Sequence, residues 1–163
     1  MAFQYPLEQV LDVKKKRVED AERHVMEMRK ALEREQDKLK EREKERDRVK
    51  QHYQDKLDQF REEISHETTT RKIQNLKNYL KVAKENVTIE EKKVRDQQEQ
   101  VELAEKKLEE AQKALELRRR EVDKLETHKE DWLVEQRKEE EIMMGREQDE
   151  LGSVMHLVRK RQQ

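Results

Sequence analysis

Histidines and carboxylates are the side chains of this sequence that could do chemistry. Zinc needs convergent ligands, and acid–base catalysis needs paired carboxylates in a partly desolvated cleft. The five histidines are His24, His52, His66, His128 and His156, and no two of them lie one helical turn apart. The 40 acidic residues are interleaved with 39 basic ones. That is the texture of a solvated helix surface carrying opposite charges at i, i+4 spacing. Cysteine is absent, so neither thiolate chemistry nor a disulfide is available. Two glycines cannot supply a phosphate-cradling loop. The residues assign no catalytic, cofactor-binding or metal site, and the chain is not expected to be an enzyme.

The elements that carry these side chains follow from composition. Of 163 residues, 48% are charged and 31% hydrophobic. That apolar share cannot fill the interior of a globular domain of this size. A formal net charge of −1 offers no dominant basic face to nucleic acid or an anionic membrane. No apolar run approaches the ~18 residues of a membrane span, and no signal-peptide core opens the chain. A soluble, non-secreted helical protein without direct membrane insertion is expected.

Steps of seven from Leu11 pass through Val18, Val25, Leu32, Leu39, Arg46, Tyr53 and Phe60, the a positions of a heptad repeat. The matching d set is Leu7, Lys14, Ala21, Met28, Glu35, Arg42, Val49 and Lys56. In the second half the a positions are all apolar: Ile73, Leu80, Val87, Val94, Val101, Leu108, Leu115 and Val122. Its d set is Leu76, Ala83, Glu90, Gln97, Ala104, Ala111, Arg118, Leu125 and Trp132. Repeats this long mean coiled coil. From Phe60 to Ile73 the phase falls one residue short of two heptads, across the polar, β-branched stretch Ser65–Arg71. The expected fold is all-α, a long two-helix antiparallel coiled-coil hairpin forming one domain, 1–163. Helix 1 covers about 6–64, the turn about 65–71, and the longer helix 2 about 72–158.

Layer arithmetic favours the hairpin over a parallel dimer. With partner numbers adding to 136, Val25 meets Ala111, Met28 meets Leu108, Leu32 meets Ala104, and Phe60 meets Leu76. Small faces large, as a packed seam requires. The one doubly charged layer, Arg46 with Glu90, has opposite signs and reads as a device that penalises misalignment. A parallel dimer would stack each seam charge on its own copy, at a cost on the order of 1–4 kcal/mol per layer. The layers from Arg46 to Gln97 should be the looser part, and those near Phe60–Leu76 and Met28–Leu108 the firmer.

The same constant places Trp132 opposite the chain's start, as an aromatic plug beside Phe3, Tyr5 and Pro6, and leaves the following residues without an intramolecular partner. Leu151, Val154, Met155 and Val158 fall at i, i+3, i+4, i+7, a helical apolar stripe. With Met143, Met144, Phe3 and Tyr5 they are the candidate partner-binding surface, since apolar residues left outside a seam mark contact sites. Gly145 and Gly152 each weaken helix there by about 1 kcal/mol, so order on binding is expected.

The stretch Lys16-Arg-Val-Glu-Asp-Ala-Glu22, the charged segment Leu133–Glu141 and the opening Tyr-Pro-Leu-Glu-Gln-Val-Leu resemble the YscO/FliJ family of type III export stalk proteins, most closely its injectisome (CdsO-type) branch. The resemblance implies a non-enzymatic, central-stalk-like coiled coil that binds the hexameric secretion ATPase at the cytoplasmic base of the export apparatus. It further implies contact with the export gate and with secretion chaperones. The flagellar branch uses an aromatic-x3-Leu-x2-Ala-x3-His pattern at the gate. Leu76, Leu80, Ala83 and Val87 have that spacing here, with the aromatic and the His replaced, and Tyr53 is the match on the first helix. The competing class is a generic cytoplasmic coiled-coil tether.

Overall fold

The only proline, Pro6, precedes the first helical turn, and no other residue type in the chain breaks a helix outright. The computed structural model describes residues 4–66 and 68–163. It consists of α1, Glu8–Ser65, and α2, Thr70–Arg161, with no strand among the described residues. The all-α class and the greater length of the second helix are as the heptads require.

The connection is shorter than the polar stretch suggested. Ser65 Oγ donates to the Glu62 carbonyl at 2.6 Å where α1 ends. Thr69 caps α2: its hydroxyl accepts from the Lys72 amide at 3.4 Å, and its carbonyl accepts from the Ile73 amide at 3.2 Å. A β-branched hydroxyl residue is a good N-cap, so Thr70 and Arg71 join the helix. At the other end α2 runs on to Arg161, passing Gly145 and Gly152 without a positive φ.

The chain forms two compact units, Met1–Glu22 with Ala114–Gln163, and Arg23–Lys113. In the first, α1 and α2 run antiparallel. Glu8 pairs with Lys129 at 2.8 Å, Lys14 with Glu121 at 3.2 Å and Glu22 with Arg119 at 3.3 Å. In the second, antiparallel pairing shows in Lys50–Glu91 at 3.1 Å and in the bond from Gln97 to the Glu35 carbonyl at 3.0 Å.

The heptad positions are the buried ones. Leu11, Leu115, Val25, Ala83, Val94, Val101, Ala104 and Ala111 are buried, and nearly all other a and d residues are half-buried. Leu7 and Arg42 are the exceptions and stand exposed. The distribution of tightness corrects one expectation. Val94, in the polar middle, is 2% exposed, while Phe60, Leu76, Met28 and Leu108 are only half-buried. Phe60 and Leu76 lie beside the turn, where a seam layer is open to water on one side, and nothing in the structure explains the exposure of Met28 and Leu108.

Candidate functional site

In the first unit, α1 stops short of covering α2. Half-buried residues recur at Lys129, Leu133, Gln136 and Glu140, and every residue from Arg146 to Gln163 is exposed. The apolar side chains of this end are open to water: Met143, Met144, Val154 and Met155, with Leu151 at 62% and Val158 at 50%. Ile142 and Leu157 share that exposure. Uncovered apolar side chains along this length of helix make this end the candidate site.

Tyr5 is corrected as a contact residue. It is only 3% exposed, packed edge-on to Trp132 with ring centroids 5.6 Å apart. Its hydroxyl shares a hydrogen bond with His128 Nδ1. A tyrosine buries its ring fully when its hydroxyl has a partner, and His128 supplies one. Trp132 thus closes this end of the seam with Tyr5 as its partner. Phe3 lies outside the described residues.

The structure places the candidate gate residues in the seam of the second unit. Ala83 is buried, and Tyr53, Leu76, Leu80 and Val87 are half-buried against the opposite helix. The residue that spacing missed is Tyr79, off the seam and 46% exposed. His52 Nε2 and the Tyr79 hydroxyl lie 2.9 Å apart, and Lys56 Nζ stands 5.3 Å from the ring centroid. Val82 and Ile89 are exposed on the same helix. An aromatic outside the a and d set, near a flanking histidine, was the available signal.

Arg46 and Glu90 occupy the seam but do not bond each other. Arg46 reaches Asp47 at 3.2 Å on its own helix, and Glu90 Oε1 takes Lys93 at 3.1 Å. Glu90 Oε2 is buried without a hydrogen-bond partner. Desolvating both ions costs more than their attraction returns, so the long Arg46 side chain turns to a carboxylate at the wet edge. Nearby, Arg48 grips Glu45 through two bonds, at 2.6 and 3.0 Å. This hydrogen bonding, followed by the Arg48 charge, holds the Glu45 carboxyl below the usual carboxylate range.

Among the described residues no group of three His, Asp or Glu side chains could hold a metal ion, and no helix is long and apolar enough to cross a membrane. No curated protein matches the chain. A sequence profile described as YscO-like protein matches residues 2–162. A solved structure described as that of a YscO homolog from Chlamydia trachomatis is 46% identical, with a TM-score of 0.93, over 99% of this chain and 100% of that one. With a paired two-helix seam, an uncovered apolar end and a family match from end to end, this chain belongs to the YscO-like family.

Proposed function

We propose that this protein is a stalk-like, non-enzymatic component of a type III secretion system, held at the cytoplasmic base of the apparatus. In this reading the uncovered end of α2 docks in the ring of the secretion ATPase. The exposed Leu151, Val154, Met155 and Val158 carry the proposal, because they form one helical face that the seam does not use. Methionine side chains adapt to irregular apolar walls, which suits Met143, Met144 and Met155 to the bore of a ring. In the second unit, Tyr79, Val82 and Ile89 are among the exposed apolar side chains and offer a surface to the export gate or to a chaperone.

The test is capture of the cognate secretion ATPase by the purified chain. Leu151→Asp combined with Met155→Asp should abolish capture and secretion while the melting temperature stays nearly unchanged, since neither residue is in the seam. Acidic substitutions at Thr68 and Thr69 should spare capture. Loss of capture through the turn but not through the tail would reverse the polarity. A wild-type chain that captures no ATPase would leave a generic coiled-coil tether as the better description.

A further inference from the structure

An uncharged stripe runs along the uncovered end of α2, past the part that pairs with α1. Past the half-buried Lys129, Leu133, Gln136 and Glu140, spacings of four and three lead through Met144, Gln148, Leu151, Met155, Val158 and Gln162. All six are uncharged, in a chain where 48% of residues carry charge. An uncharged seam at coiled-coil spacing is built for another helix. We infer that it is covered by the same segment of a second copy of this chain, lying antiparallel.

The flanks of the seam select that occupant. One flank carries Glu147, Val154 and Arg161 at steps of seven. In an antiparallel pair this flank meets itself in reverse order. Glu147 then stands opposite Arg161 of the second copy, twice, and Val154 lies opposite Val154 at the two-fold axis. The core layers become Leu151 against Met155, Val158 against Gln148, and Met144 against Gln162. A parallel pair would bring Glu147 beside Gly152 and Val154 beside Arg159, with no charge matched. Self-complementarity of this kind is what a two-fold interface requires.

The other flank carries Gly145 and Gly152, also seven apart. Apart from the chain neighbours and the local helix backbone, nothing comes within 4 Å of where a Cβ would sit at either position. Each glycine weakens the helix by about 1 kcal/mol relative to Ala, and no intramolecular packing accounts for them. In the antiparallel pair Gly152 faces Gly152, and the two backbones approach more closely than any side chain would allow. At ~1.5 Å per residue the paired segment is roughly 27 Å long, short for a permanent interface. The dimer is therefore weak and dissociates on dilution. It uses the face proposed to dock in the ring and excludes that contact, but the pairing itself does not depend on the ring.

Sedimentation equilibrium of the full chain, without ATPase, tests it across concentrations from about 1 μM to about 1 mM. Reversible dimerisation is expected, weakened about tenfold or more by Arg161→Glu and restored by adding Glu147→Arg. Mixing chains that carry Gln148→Cys with chains that carry Val158→Cys should give the mixed disulfide in excess over either homodimer, with no native cysteine to compete. A chain that stays monomeric throughout, a charge swap that fails to restore pairing, or crosslinks formed only between like positions would each overturn the inference. ATPase capture by a chain that never self-associates would overturn it while leaving the ring reading intact.

Discussion

The side-chain amide of Gln97 donates to the backbone carbonyl of Glu35 at 3.0 Å and to the carboxylate of the same residue. A side chain tied to the opposite helix's main chain fixes axial register more strictly than two flexible charges could. The carbonyl cannot move without its helix. The polar middle of the second unit is thus registered by an amide rather than by the oppositely charged pair Arg46 and Glu90.

Gln97→Leu should lower stability by roughly 1–2 kcal/mol, because Glu35 is left half-buried with only Lys38 near it. Thermal melting followed by circular dichroism would show it. An Arg46→Ala variant should change far less, since its partner is Asp47 on its own helix. Equal losses from the two substitutions would mean that the amide has no special part.

Glu90 is expected to respond in the opposite sense. One of its oxygens is buried and unpaired, and exchange for a well-packed apolar residue removes that penalty. Glu90→Leu should raise the melting temperature, by an amount corresponding to about 1 kcal/mol. A clear drop in melting temperature would show the carboxylate to be satisfied in solution.

Tyr5 anchors the start of the chain on α2, and Trp132 is the chain's only tryptophan. Tyr5→Ala should therefore shift tryptophan emission to longer wavelength as the indole meets water, and cost about 3 kcal/mol or more in the melt. Tyr5→Phe keeps the ring contact and loses only the bond to His128. Its emission should stay close to wild type, at a cost of about 1 kcal/mol.

Acid should remove one source of stability from the first unit, the ion pair of Lys14 with Glu121. Glu121 accepts from Lys14, which is the main reason its carboxyl lies below the ordinary value of 4.5, and Arg118 adds to the effect. A carboxylate whose folded value is depressed binds fewer protons in the folded state. Its contribution is therefore present above that ordinary value and is lost as pH falls through the lower folded one. Glu121→Gln should flatten the acid side of the melting-temperature profile below about pH 5. Lys14→Met should do the same, and the double variant should add little. Profiles that superimpose on wild type would remove this pair from the account.

Helix content, the antiparallel seam and the uncovered stripe are all legible in the sequence. They depend on periodicity, and periodicity survives without knowledge of neighbours. Val94, Val101, Ala104 and Ala111 are buried because a seven-residue step keeps them on one face, and Leu151 to Val158 stay exposed because they lie past the end of the shorter helix. Tertiary structure decided where the long side chains went. Arg46 has several carboxylates within reach, and desolvation at the seam, a property of the assembled pair, turns it outward. Tyr5 lies before the first heptad, so no spacing rule said whether it would serve a partner or pack on Trp132. That choice rested on His128 standing where a buried hydroxyl needs it, a proximity between residues far apart in the chain that only the folded pairing creates.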